Sequence, residues 1–414
     1  MKNKIKVFKN ILLMSAPEYI AGFSVFAILI FFSKKASLAE IGELTYANTV
    51  GQLIASMLAV ALLTTMRRDF ALKEWLRDKQ VFSLYIVRSV IFLAILLIVF
   101  FLFKFELISQ IVFLMIVSRN IDSLSETYYY TLLSKNSYVK FSILKSFHYL
   151  SLIGSVLVGI MQSFNIHQIV YVFLLNSVLW SLINFTLLFF EKNITKKLFI
   201  LNKYQKNLFK RAFPLLLSSV IYLLSTRLNV LIVKKICNPE DFGLFSIIIT
   251  LLGIFSIFTS AISNFFINQQ VEWYKSSSKL LKNRLIKLSG LFFLLGVAGV
   301  VVIYFASDYV NYLFKNFDME RVWLLKLAMV SILAYFLQIP YNYLFTILDK
   351  NKLALYFSIA MIIVASVLYY SFTVLYGLEG AVWALLIYNI LWCSALFLIA
   401  MNVINKQILK ESND

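Results

Sequence analysis

Residues 81–103 read VFSLYIVRSVIFLAILLIVFFLF, an unbroken apolar run carrying a single charge, Arg88. About 20 apolar residues in helical form cross the hydrocarbon core of a bilayer, so this stretch predicts a transmembrane helix. Outward from it, the same pattern repeats along nearly the whole chain. Membrane-length spans are predicted at 11–32, 41–66, 81–103, 107–133, 141–164, 168–190, 212–235, 242–269, 286–306, 322–348, 353–375 and 379–404. The expected fold class is an all-α integral membrane protein of twelve transmembrane helices. The longest linker, near 191–211, is too short for a soluble catalytic domain. Function is therefore expected inside the membrane, between helices.

Composition agrees. The 414 residues are 61% apolar and 14% charged, whereas soluble domains are about 25% charged. A net charge of +19 would suggest nucleic acid in a soluble chain, but its placement argues otherwise. With the N-terminus cytoplasmic, 28 Lys and Arg fall at inside span ends, Lys145 counted among them, and 7 at outside ends. By the positive-inside rule this places both termini in the cytoplasm. The basic balance is read as topology and contact with membrane lipids, with no nucleic-acid partner. Cys237 and Cys393 are too scattered for a metal site or a disulfide framework. The basic N-terminal region precedes an apolar run that is long and lacks a small-residue cleavage pattern at Phe31-Phe32-Ser33-Lys34, so it is read as the first span. No G-x-x-x-x-G-K-[ST] pattern occurs, so neither ATP nor any other cofactor is expected.

The chain also repeats itself. Lys34-Lys35 with Glu40 and Gly42 recurs as Lys234-Lys235 with Glu240 and Gly243, and TLLSKN (131–136) recurs as TILDKN (346–351). Pro17 and Pro214 stand near the start of the first and seventh spans. The expected organisation is a six-helix lobe at 1–190, a basic amphipathic inner linker at 191–211 and a second six-helix lobe at 212–414. Six spans per lobe give both lobes the same orientation, so a pseudo-two-fold axis along the membrane normal and a central cavity are expected.

Pro214, Leu-Asn229, NPEDFG (238–243) and YGLEGAVWA (376–384), together with the helix count and half-repeat, resemble the Wzx-type polysaccharide flippases of the multidrug/oligosaccharidyl-lipid/polysaccharide exporter superfamily. The resemblance covers the whole chain. It implies a bacterial inner-membrane transporter, not an enzyme, that moves polyprenyl-diphosphate-linked oligosaccharide units (O-antigen or capsule repeats) from the inner to the outer leaflet. It implies as partners the lipid-linked glycan itself and the polysaccharide polymerase and chain-length machinery. Members often carry an acidic residue where Asn229 stands, and this chain departs from that pattern.

Charges inside spans are expensive, at about 2.5–3.5 kcal/mol each on insertion scales, and usually face a cavity or a partner. Arg119, Asp122 and Glu126 share one helical face. They read either as an internal ion-pair ladder or as the polar wall of the cavity, Arg119 meeting the diphosphate through its bidentate fork. Arg227 has no acid within a helical turn on its own span, with Ser225, Thr226 and Asn229 around it, and is expected to find an anionic partner on another helix or, the favoured reading, in the substrate. Glu18, after Pro17, reads as a site for proton or sodium coupling, as the partner of a cation across the lobes, or as an acid reaching the inner interface. Arg88 and Lys326 are expected to snorkel, and Tyr128–Tyr130, Tyr341 and Tyr343 to anchor at the interface. His148 and His167 stay without a role. Two further functions are weighed. A cation-coupled multidrug exporter would want an anionic cavity. A membrane glycan polymerase or ligase would want a larger outer loop than 307–321.

Overall fold

The computed structural model describes residues 2–411 apart from 73, 192–193, 195–202, 315–316 and 349; side chains of a further group inside helices, Glu18, Phe209 and Pro214 among them, lie outside the described set. Fourteen helices follow one another: α1 (Lys2–Ser33), α2 (Leu38–Leu72), α3 (Glu74–Lys104), α4 (Gln110–Ser134), α5 (Tyr138–Met161), α6 (Ile166–Phe189), α7 (Lys203–Ile236), α8 (Pro239–Ser276), α9 (Ser278–Ala306), α10 (Val310–Leu313), α11 (Val322–Met329), α12 (Ser331–Gln338), α13 (Leu344–Ile347) and α14 (Asn351–Glu411). The described residues contain no strand.

The first nine predicted spans coincide with α1 to α9. Six described stretches are long and apolar enough to cross a membrane: Asp78–Lys104, Tyr138–Met161, Ile166–Phe189, Pro239–Ser256, Ser278–Leu313 and Lys352–Glu411. The last would measure about 90 Å if straight, far beyond one bilayer. It is broken at Gly377 (φ 58°, ψ −135°), so α14 supplies both the eleventh and twelfth spans. Helix α4 has the length, but Arg119, Asp122 and Glu126 sit in its middle. The apolar exposed faces of α3 (Leu93, Leu97, Ile98) and α9 (Leu294, Val302, Phe305) suit lipid contact.

The tenth span is not one helix. The segment divides into α11, α12 and α13; α12 ends at Gln338, just ahead of Pro340, which has no N–H to donate, while the α11–α12 break lies upstream at Val330. The carbonyls near the break are taken up by α8, where Ser263 Oγ donates to Ile339 O at 3.3 Å and Gln270 Nε2 to Pro340 O at 3.0 Å. Irregular backbone at membrane depth needs such internal partners.

The repeated motifs at the starts of α2 and α8 work as helix caps. Glu40 accepts from the Ser37 backbone N–H at 2.8 Å while Ser37 Oγ accepts from the Glu40 N–H at 3.3 Å. On α8, Asn238 Oδ1 accepts from the Asp241 N–H at 2.7 Å and Pro239 occupies the first turn. Loss of such a cap typically costs about 1 kcal/mol, and Asn238→Ala is expected to lower stability by that much in thermal unfolding of the purified protein.

The chain forms two compact units. The first comprises Met1–Ala36 and Glu43–Leu224, the second Ser37–Gly42 and Ser225–Asp414. In the first, α4 packs along α6 and α3, and α5 along α1 and α6. Of the linker predicted to be amphipathic, Leu198, Phe199 and Leu201 lie outside the described residues, and Leu208 is buried in a core cluster with Tyr128, Tyr129 and Phe141. In the second unit, α9, α12 and α14 pack together against α8.

Candidate functional site

The first unit carries a polar network buried among α2 to α6. It begins where α2 meets α4. A Cβ on Gly51 would stand 2.9 Å from the Met115 carbonyl oxygen and 3.0 Å from Arg119 Cγ. Only a glycine admits this approach without a shift, and it brings Asn48, one turn earlier on α2, onto the guanidinium. Asn48 Oδ1 accepts from Arg119 Nε at 2.8 Å and Asp122 Oδ2 from Nη1 at 3.2 Å. The guanidinium carbon lies 5.3 Å from the centre of the Phe173 ring. Nη2 is buried without a hydrogen-bond partner.

Helices α4 and α5 are joined by the short turn at 135–137, so their residues pair in order away from it. Glu126 Oε1 lies 3.0 Å from Lys145 Nζ, and Asp122 Oδ1 lies 3.4 Å from His148 Nε2, long for an N–H···O bond. The His148 ring stacks with Tyr149 (4.8 Å) and with Trp180 (5.3 Å), and its Nδ1 is 3.4 Å from the Tyr129 hydroxyl. Lys145 Nζ also lies 5.7 Å from the ring centres of Tyr129 and of Phe141. On the other side of α4, Arg88 donates to Ser123 O at 2.6 Å and to Thr127 Oγ1.

Arg119, Asp122 and Glu126 therefore come together in the first unit and are bonded to neighbours there. Arg227 and Asn229 stand on α7 in the second unit. Arg227 is half-buried and already engaged. Asn229 is buried, its Oδ1 accepting from the Val230 N–H at 2.7 Å, with the Tyr369 hydroxyl also bonded to its side chain. The Glu18 side chain lies outside the described residues.

Three expectations change. Arg88, 4% exposed, does not snorkel, because Ser123 and Thr127 offer it acceptors inside. Lys326, half-buried, does reach outward, to the exposed Asp308 at 2.7 Å. Lys145 is not a solvated inside-end lysine but a buried one, held by Glu126. Tyr128, Tyr129 and Tyr341 are buried rather than interfacial, with Tyr341 sharing a 2.7 Å hydrogen bond with Ser289 Oγ. Asn48, Lys145 and His148 were missed as members of the network. Lys145 and His148, three apart on α5, match Glu126 and Asp122 on the neighbouring helix, and that complementarity was a usable signal. Among the described residues no group of three or more His, Cys, Asp or Glu is placed to hold a metal.

Solved structures place the fold. The chain aligns with a lipid II flippase, MurJ, in an inward closed conformation, at a TM-score of 0.70 and 13% identity over 98% of this chain and 89% of that one. It aligns with an outward-facing multidrug resistance transporter of the MATE family and MOP superfamily at 0.65 and 17% identity, over 96% of each chain. A MOP-superfamily transporter from Pyrococcus furiosus, whose reversed binding-pocket polarity suggested a different function, aligns at 0.58 and 16% identity over 96% of each. No protein-family model and no curated protein matches the chain. The fold is thus that of the two-lobed membrane transporters of the MOP superfamily.

Proposed function

We propose that the chain is a Wzx-type flippase that carries polyprenyl-diphosphate-linked oligosaccharide from the inner to the outer leaflet of the bacterial cytoplasmic membrane, for cell-surface polysaccharide synthesis. One observation carries this reading. Among the described residues, the charged side chains that are buried are cations, Arg88, Arg119 and Lys145, set against two half-buried carboxylates, Asp122 and Glu126. An interior with a cation in excess favours an anionic ligand, since buried charge is stable only when compensated. A diphosphate headgroup supplies that anion, with Arg119 and Arg227 as its contacts and Asp122, Glu126 and Asn229 as the polar wall. The polyprenyl tail stays in lipid while the lobes open alternately to each side, and both termini remain cytoplasmic. An inside-negative potential drives the anion outward by about 2.3 kcal/mol per charge per 100 mV, and proton or sodium exchange at Glu18 would add to it.

The multidrug exporter reading draws on the likeness to a multidrug resistance transporter. It is disfavoured here because cationic drugs call for an anionic interior. The test is translocation of a polyprenyl-diphosphate-linked oligosaccharide in proteoliposomes. Hydrogen bonds to charged groups contribute about 1.5–3 kcal/mol, so Arg227→Ala is expected to slow translocation about ten- to a hundredfold, with Arg227→Lys recovering part. Full activity of the alanine variant would remove Arg227 from the site. Inactive but folded wild type, together with export of a cationic dye, would transfer the assignment to the exporter.

A further inference from the structure

Asp122 is shared. Its Oδ2 is held by Arg119 Nη1 at 3.2 Å, and its Oδ1 faces His148 Nε2 at 3.4 Å with no closer hydrogen-bond partner. Arg119 in turn has half of its end-on fork occupied by that carboxylate and the other half, Nη2, empty of partners. A guanidinium binds phosphate best when both terminal amines meet two oxygens of one group. In this arrangement Asp122 blocks that seat.

The surroundings of His148 suit an imidazolium. A carboxylate faces one nitrogen, and Tyr149 and Trp180 each stack against the ring, where aromatic quadrupoles favour a cation. The other nitrogen lies 3.4 Å from the Tyr129 hydroxyl, and both polar side-chain atoms of Asn184 are buried without a hydrogen-bond partner. When Nδ1 gains a proton it donates to the Tyr129 oxygen. The neighbouring charges are accounted for. Arg119 opposes the added charge from α4, as does Lys145 on α5, although Lys145 is neutralised by Glu126. Arg88 on α3 adds a cation behind α4 beside Glu126. Helix α6 contributes only neutral groups around the ring, Asn176, Ser177 and Trp180, and α2 contributes the neutral Asn48. On α1, packed along α5, the titratable side chain described within the helix is Tyr19.

Resting on the flippase reading, we propose that His148 is a proton-operated positioning residue. Protonated, it draws the Asp122 carboxylate away from Arg119 and frees both terminal amines of Arg119 for the diphosphate. Deprotonated, it lets Asp122 return and displace the phosphate. Imidazole is the side chain whose ordinary titration falls between about pH 5 and 8, so the exchange can run on physiological pH differences.

The test uses two readouts on the full chain in lipid. With His167→Gln as background, His148 is the sole histidine, and the resonances of its labelled imidazole report its protonation directly. They are expected to report a change of protonation over the same pH range in which translocation varies. The midpoint is expected to fall by about one unit or more in Asp122→Asn, which removes the favourable carboxylate charge. The second readout is translocation of a polyprenyl-diphosphate-linked disaccharide against pH. His148→Gln is expected to be slowed about tenfold or more, by loss of a charge-assisted contact, and to show a flat pH profile. Adding Asp122→Asn to it is expected to restore activity, because Arg119 is then no longer held by a charge. An absent titration, an unmoved midpoint in Asp122→Asn, or a wild-type pH profile in His148→Gln would each overturn the switch. Wild type that translocates nothing at any pH, while the coupled titration stands, would support the proton site and overturn the flippase reading instead.

Discussion

Glu126→Ala is expected to destabilise the first unit by about 3–5 kcal/mol, the usual consequence of stranding a buried charge. Glu126 is the carboxylate bonded to Lys145, whose side chain is 5% exposed, and its charge also acts on the buried Arg88. Removing it leaves two interior cations without that anion, in a site where the Tyr129 and Phe141 rings lie 5.7 Å from Lys145 Nζ. Thermal unfolding in detergent should register the change as a fall of roughly 6–20 °C for a unit of this size. Glu126→Gln keeps an acceptor and should fall between alanine and wild type. The informative control is the pair Glu126→Leu with Lys145→Met. Replacing both members of a buried ion pair by apolar side chains is often neutral or stabilising, so the double variant is expected to recover most of the loss. A single variant within about 0.5 kcal/mol of wild type, the range of ordinary surface substitutions, would mean that Lys145 reaches water.

How far the sequence can be read follows from what hydropathy senses. It locates apolar length, and so finds α1 to α9 and both halves of α14, where Gly377 marks the turn. It does not sense a backbone break that neighbours repair. Pro340 stood in plain view at the tenth span, yet the repair comes from Ser263 and Gln270 on α8, which only the folded chain brings close. The same limit governs side chains near span ends. A tyrosine such as Tyr128, or a lysine such as Lys145, reads identically whether it faces a lipid headgroup or a partner across the bundle. Arg88 was misjudged for that reason, since its acceptors Ser123 and Thr127 look like unremarkable helix residues. The shared face of Arg119, Asp122 and Glu126 was legible, because helical period alone fixes it. Which partner each would choose was not, because Asn48 reaches Arg119 only through the close approach at Gly51.

The turn inside α14 should be equally unforgiving. Gly377 has a backbone conformation (φ 58°, ψ −135°) that side chains with a Cβ rarely adopt, and Gly377→Ala is expected to cost about 1–3 kcal/mol. Three residues on, a Cβ on Gly380 would lie 1.9 Å from the Phe372 carbonyl oxygen and 3.0 Å from Tyr376 Cβ. A backbone oxygen cannot rotate away as a side chain can, so Gly380→Ala must push the two arms of the turn apart. The expected loss is about 1–3 kcal/mol or more, as for overpacking a close contact. Both changes also raise helix propensity by about 1 kcal/mol each, which favours continuing the helix straight through the turn. Straightening would pull Ala381, Val382, Ala384 and Leu385 out of the packing that now buries them. Because the two glycines serve one turn, the double variant should lose less than the two single losses added together. Glu379→Ala, on an exposed position between them, is the control and should stay within about 0.5 kcal/mol of wild type. Gly380→Ala unfolding together with that control would mean that the Phe372 carbonyl yields freely. Close packing would then not be what sets the turn, and the positive φ at Gly377 alone would have to hold the eleventh and twelfth spans apart.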